Sequence, residues 1–430
     1  MEKITFDQLQ EDLYQEKLSN GLHVFILPKK GFNKTYVTFT TKYGSIDNQF
    51  TPLGETEMIR VPDGIAHFLE HKLFEKEDGD VFQDFSKQGA SANAFTSFTR
   101  TAYLFSSTSN VEQNLETLMD FVQSPYFTEK TVEKEKGIIG QEITMYDDNP
   151  DWRLYYGVIQ NMFKEHPVKI DIAGTIESIS KITKDLLYTC YETFYHPSNM
   201  VLFIVGPVDP EKMINQIHSN QDKKDYQDQP EINRYFADEQ REVYKKKQVL
   251  EMNVQSSKCL VGVKAQNPKR SGNDLLKNEL SINIILDWLF GKSSEHYEKL
   301  YDEGLIDETF SFDYTEEYGF GFAIIGGDTT KPDELSSRLR EIMLNCKQSP
   351  ITAEQLDRVK KKKIGVFLRS LNSPEYIANQ FTRYAFNEMN LFDVVPVMES
   401  LTIDDITMLT NEFFKEECMT ECQVLPKRVK

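Results

Sequence analysis

The sequence contains no apolar run approaching the roughly 20 residues that a membrane-spanning helix needs. Its opening residues, Met1-Glu2-Lys3-Ile4-Thr5-Phe6-Asp7, are acidic and lack the apolar core of a secretory signal. Both absences point to a cytoplasmic protein with no membrane association. Positive charge is scarce: 49 Lys and Arg against 68 Asp and Glu leave a net charge of -19. That balance argues against a nucleic-acid or anionic-membrane surface and suits basic or neutral peptides as partners. Cysteine is scarcer still. Five residues (Cys190, Cys259, Cys346, Cys418 and Cys422), odd in number and scattered, do not make a disulfide framework, which favours a reducing compartment. Cys418 and Cys422 have a spacing that could bind metal on a helix, but no third soft ligand lies nearby, so they read as two buried thiols. What remains is an ordinary soluble composition in 430 residues, enough for two or three domains.

What is present is the stretch His67-Phe68-Leu69-Glu70-His71. On a helix, positions i, i+3 and i+4 are surface neighbours, so His67, Glu70 and His71 share one face. Two imidazoles there can hold a metal, and a carboxylate beside them can take the proton of a water attacking a carbonyl. The glutamate comes late, as H-x-x-E-H, which is the inverzincin order rather than H-E-x-x-H. A pattern this short also arises by accident, on a helix with half-buried histidines and a solvated glutamate. It therefore needs a third protein ligand.

Asn20-Gly21 reads as a hairpin turn before a strand at Leu22–Leu27, with another at Thr35–Thr40. Pro62-Asp63-Gly64 leads into the motif helix, with Asp63 as its expected cap. A short helix, Val81–Lys87, precedes strands Ala92–Ser97 and Thr101–Ser106. A strand near the motif helix is suited to pairing with an extended peptide, although two ordinary sheet strands read the same way. After a helix at Val111–Val122, a charged helix from Thr128 to Tyr146 carries Glu135 and Glu142. Their separation is almost two turns, so they share a face on which one can ligate while the other supports. Gly137 and Gly140 between them suggest that another helix, the motif helix first, comes close. His166 and His196 each precede a proline in a loop and are expected to be structural. Met200–Gly206 is a buried strand closing a first domain, and the polar run Asn220–Glu239 reads as a linker.

The second half echoes the first. Gln123-Ser124-Pro125 recurs as Gln348-Ser349-Pro350, each before a long charged helix. Strand Leu260–Lys264, helix Leu280–Leu289, strands Thr309–Phe312 and Phe320–Ile325 and helix Asp333–Met343 repeat the first-half order. The expected fold is α+β: two homologous domains, residues 1–220 and 241–430 with a linker at 221–240, each a mainly antiparallel sheet packed with helices. Aligning Thr128 with Thr352 sets Glu135 against Val359 and Glu142 against Val366. The second half also lacks the histidine motif, its matching helix reading Ile285-Leu286-Asp287-Trp288-Leu289. Joint loss of these groups is what a single metal site in the first domain predicts. The run Lys360–Lys363 reads as a solvated helix face.

Asn20-Gly21-Leu22, the histidine motif, Asn93-Ala94-Phe95-Thr96, the Glu135 and Glu142 pair, Gly174-Thr175, Asn199-Met200 and the repeated layout together resemble the pitrilysin/insulinase family of zinc peptidases. The form resembled is half-size, similar to mitochondrial processing peptidase subunits, and the resemblance covers nearly the whole chain. It implies two processing-peptidase-like domains, zinc (Zn2+) held by His67, His71 and Glu142, Glu70 as general base, and Glu135 as the carboxylate that orients a ligand. It also implies that Asn93 and Ala94 line a substrate strand and that Phe68 lies beside the scissile bond. Family members enclose a peptide between two halves, so the resemblance implies a homodimer, or a heterodimer with a half lacking the motif. Many members support the oxyanion with an arginine and a tyrosine of the non-catalytic half; Arg383-Tyr384 here is adjacent rather than suitably spaced. The activity implied is hydrolysis of unstructured peptides or leader segments. The competing expectation is a non-proteolytic peptide-binding or scaffold subunit.

Overall fold

The computed structural model describes residues 1–77, 79–266 and 268–427 and divides into two compact units. The first unit comprises residues 1–143, 170–235 and 370–386. Its sheet has seven strands in the order Glu2–Phe6, Glu11–Lys17, His23–Pro28, Met200–Gly206, Thr35–Thr41, Thr101–Ser107 and Ala90–Thr96. Every neighbouring pair is antiparallel except Met200–Gly206 with His23–Pro28. The central strands are runs of Val, Ile, Phe and Thr buried on both faces, as Met200–Gly206 and Thr35–Thr41 are throughout. Glu2–Phe6 and Glu11–Lys17, which extend the sheet, have no counterpart in the sequence reading. Their outward side chains are charged, and few inward ones, such as Leu13, mark the buried face.

The units do not follow a single cut in the chain. Helix Pro374–Phe386, from the second half of the sequence, packs on Thr35–Thr41 and Met200–Gly206 in the first unit. Phe381 anchors it there, its ring 4.8 Å from Phe25 and 4.6 Å from Phe203. Reciprocally, helix Pro150–Met162 belongs to the second unit, against strands Lys258–Lys264 and Met419–Pro426. Gly157 makes that approach possible, since a Cβ there would stand 2.6 Å from the Cys422 sulfur.

The second unit carries a five-stranded sheet ordered Lys247–Met252, Met419–Pro426, Lys258–Lys264, Phe320–Asp328, Ser311–Glu317, again antiparallel but for one pair. The α+β organisation of two sheet-and-helix domains read from the sequence holds. Cys422 lies in a strand and Cys418 in a short turn rather than on a shared helix, and all five cysteines are buried and unpaired. The lysine run is not simply solvated. Lys360 donates to the Glu399 and Leu401 carbonyls at 2.6 and 3.0 Å, and Lys362 and Lys363 approach Asp287 at 2.7 and 3.8 Å. Asp287 sits in helix Gly272–Phe290 and the lysines in helix Ala353–Ser370, so an ion pair ties these two helices together.

The chain passes from one unit to the other between Tyr235 and Phe236. Arg234 donates to Asp47 Oδ1 at 2.9 Å in the first unit. In the second, the Glu239 carboxylate accepts the backbone N–H groups of Lys164, Glu165 and His166 and pairs with Lys264 at 3.0 Å. This polar segment is therefore pinned at both ends.

Candidate metal centre

Pro62, Asp63 and Gly64 deliver the chain into helix Ile65–Leu73, but Asp63 does not cap it. Gly64 takes φ 90° as the residue before the first turn, which turns the Asp63 side chain away from the helix N–H groups. Asp63 instead accepts from Asn48 Nδ2 at 3.0 Å, and its carbonyl accepts from Ser178 Oγ at 2.8 Å. Gly64 is packed so closely that a Cβ would lie 2.4 Å from the Ala173 carbonyl oxygen. The entry to the motif helix is fixed by the 173–178 loop. Nearly the whole helix is buried, His71 being the more open of the two histidines.

Helix Glu129–Asp148 supplies the facing carboxylates. Glu142 Oε1 stands 3.8 Å from His67 Nε2 and Glu142 Oε2 stands 3.7 Å from His71 Nε2. One donor atom from each of His67, His71 and Glu142 falls within 4.8 Å of the others, which among the described residues makes this the one His/Cys/Asp/Glu cluster suited to a metal. Donors around a tetrahedral zinc, with bonds of about 2.0–2.1 Å, stand about 3.4 Å apart, so three donors within 4.8 Å of one another are spaced for side chains to close on an ion. Behind them, His71 Nδ1 lies 3.1 Å from Glu135 Oε1. An ionised carboxylate only accepts, so Nδ1 carries the hydrogen and the Nε2 lone pair faces Glu142.

His67 supplies a second sign of fit. It is 8% exposed, its Nδ1 has no hydrogen-bond partner among the described residues, and its Nε2 stands 3.8 Å from Glu142 Oε1. A buried ring left this way costs about 1–3 kcal/mol, which coordination through Nε2 would offset. Burial first, and the neighbouring His71 second, hold His67 well below its ordinary value, at about 4, so the ring is neutral and able to ligate. Burial pulls His71 down too, but the Glu135 hydrogen bond and the charges of Glu70, Glu135 and Glu142 outweigh it and leave His71 raised. The donor set, two imidazoles and a carboxylate, is that of a catalytic zinc site with a position open to water.

Glu70 projects beside this cluster, also only 8% exposed. Burial raises it, opposed by a hydrogen bond from Thr96 and by the charge of His71. Thr96 Oγ donates to Glu70 Oε2 at 2.8 Å. The sequence reading quotes Thr96 within the Asn93 stretch but gives it no role, because nothing in local spacing joins a strand end to a helix 26 residues earlier. Asn93 and Ala94 lie on Ala90–Thr96, the last strand of the sheet, with Asn93 exposed and its Oδ1 accepting from the Ala94 N–H at 2.9 Å. Phe68 is a correction. It is 0% exposed in the core, so its side chain offers no surface to a peptide.

The glycines are a second correction. A Cβ added at Gly137 or Gly140 would meet nothing within 4 Å among the described residues, and none of their helices is packed on these glycines. The side that meets the motif helix instead carries Glu135 and Glu142, and Ile139 on the same face is buried with Glu135.

The profile of the insulinase family, peptidase family M16, matches residues 60–176, and that of the peptidase M16 inactive domain matches residues 181–363. YmfH of Bacillus subtilis, an uncharacterized zinc protease, is 70% identical over 99% of both chains. The chain belongs to peptidase family M16. Among solved structures, an M16-like peptidase from Alicyclobacillus acidocaldarius shares 39% identity and a TM-score of 0.94 over 97% of this chain and 99% of that one. The periplasmic protease PqqL of Escherichia coli, at 15% identity, has the same fold with a TM-score of 0.76, and this chain covers 47% of it. The H-x-x-E-H residues and Glu142 fall inside the segment matched by the M16 insulinase profile, and Asp287 with Lys362 and Lys363 inside the segment matched by the inactive-domain profile.

Proposed function

We propose that this chain is a zinc endopeptidase that hydrolyses unstructured peptides or leader segments, and that it works in the cytoplasm as one half of an enclosure completed by a second copy or by a half without the motif. The reading assigns residues 1–220 as catalytic domain, 221–240 as linker and 241–430 as a homologous domain without metal ligands. The observation that carries it is the convergence of His67, His71 and Glu142 with a buried Glu70 alongside and Glu135 behind His71. The half-size reading is supported by a chain that spans about half of a full-length protease of the same fold.

In this reading His67, His71 and Glu142 hold the ion, and Glu135 fixes the tautomer and direction of the His71 ring. Zinc bound there supplies Lewis acidity, bringing the pKa of a water toward 7 and polarising a carbonyl. Glu70 accepts the proton of the attacking water and returns it to the leaving amine, a role its burial suits. Among the described residues the strand Ala90–Thr96 has one neighbour in the sheet, so its other edge can take an extended peptide, with Asn93 and Ala94 along it.

The test is cleavage of a mixed, unstructured peptide library by zinc-analysed protein, beside Glu70→Gln, with and without a co-purifying partner. Cleavage that Glu70→Gln lowers by at least about 100-fold while zinc is retained is the expected result. Full hydrolysis by zinc-loaded Glu70→Gln would remove Glu70 from the mechanism. No cleavage in any arm despite bound zinc would favour a peptide-binding subunit.

A further inference from the structure

We propose that Thr96 is a positioning residue for Glu70: its hydroxyl anchors one carboxylate oxygen, so that the other is presented to the reacting water. The inference rests on the reading of Glu70 as general base and adds a residue that acts through it.

Glu70 is almost fully buried, and the 2.8 Å bond from Thr96 Oγ to Oε2 is its one side-chain hydrogen bond among the described residues. A buried carboxylate held by nothing else would turn freely about its last torsion, or lose the geometry that proton transfer needs. Thr96 is itself held. It ends strand Ala90–Thr96, directly opposite Thr101 on Thr101–Ser107. Thr101 is 0% exposed and donates its one hydroxyl hydrogen to the Tyr43 carbonyl at 2.9 Å. The Thr101 hydroxyl stands 3.4 Å from that of Thr96, and the Glu70 carboxylate at 2.8 Å is the nearer acceptor for the Thr96 hydrogen. A β-branched side chain at a strand end is stiff at χ1, so the donor is aimed before any substrate arrives. Valine would fill the same space and satisfy the strand equally well. What valine lacks is the hydroxyl that meets the Glu70 carboxylate at 2.8 Å and, at a longer 3.4 Å, the Thr101 hydroxyl.

The experiment compares Thr96→Val, Thr96→Ser, wild type and Glu70→Gln under the conditions in which the wild type cleaves peptide. It measures kcat and KM separately, zinc content by elemental analysis, and the Glu70 rotamer in a crystal structure of Thr96→Val. Expected for Thr96→Val is a kcat lower by about 10–100-fold, with KM within about twofold, zinc retained and the Glu70 carboxylate turned from its wild-type direction. Thr96→Ser, which keeps the hydroxyl, should recover most of the rate. Wild-type kcat in Thr96→Val, an equal loss in Thr96→Ser, or an unmoved Glu70 would each overturn the inference. Should Thr96→Val not fold, Thr96→Ala against Thr96→Ser makes the same comparison. Strong Glu70 dependence with an indifferent Thr96 would defeat this inference alone, whereas a zinc-loaded wild type that never cleaves would defeat the proposed function and this inference with it.

Discussion

Removing Glu135 should weaken zinc binding without removing a ligand. The carboxylate lies 3.1 Å from His71 Nδ1 and is 8% exposed, so the hydrogen bond is charge-assisted and largely shielded from water. A bond of that kind contributes about 1.5–3 kcal/mol net, and about 1.4 kcal/mol is a factor of ten. The zinc Kd should therefore rise by about 10–100-fold in Glu135→Ala, and by less in Glu135→Gln, whose amide oxygen can still accept. The sign with pH follows from His71. Its raised pKa in the metal-free protein means that a proton competes for the ring, so affinity falls as pH falls. Removing the Glu135 carboxylate also removes one cause of that rise, so the competition sets in at lower pH and the difference between the proteins narrows on acidification. Competition of metal-free protein with a chelator, at fixed ionic strength and several pH values, measures both effects. A Glu135→Ala protein that binds zinc with the wild-type Kd, while Glu142→Gln does not, would refute the link through His71.

Three further outcomes can be checked on the purified chain. Zinc present at about 100 times its Kd should stabilise the first unit by about 2.7 kcal/mol and raise its melting transition by about 5–10 °C, an increment that calorimetry with a chelator should abolish and that an unchanged transition would disprove. Glu239→Gln should destabilise the second unit by about 1.5–3 kcal/mol in urea unfolding, since it weakens the acceptor for three N–H groups and for Lys264. Because Glu239 titrates below its ordinary value in the folded protein, that contribution is complete above the unfolded-state pKa and is lost as pH falls through the folded one, so mutant and wild type should converge in acid. Gly64→Ala should cost about 1–3 kcal/mol from its φ of 90° alone, with the contact to Ala173 adding to it, and wild-type stability in denaturant would show that the loop simply moves aside.

What was legible in the sequence followed from helical geometry. The shared face of His67, Glu70 and His71, and that of Glu135 and Glu142, need only the 3.6-residue repeat, and in the structure these faces meet. The same repeat explains the misreading of Gly137. At about 100° per residue it lies about 200° round from Glu135, turned away from the motif helix, so its proximity in sequence says nothing about proximity in space. Asp63 failed as a cap for a related reason: one left-handed residue after it redirects the side chain, and a glycine's φ is not written in composition.

The features that escaped are those that only tertiary structure creates. Thr96 reaches Glu70 because a strand end is set beside the motif helix, and Phe68 is buried by a core that its helix position alone does not reveal. The two exchanged helices are the furthest from local pattern. Each is amphipathic, as either half of the chain would require, and nothing in its own residues names the sheet it covers. Phe381 selects the first-unit sheet through Phe25 and Phe203, and Gly157 admits its helix to the second through the absence of a Cβ against Cys422.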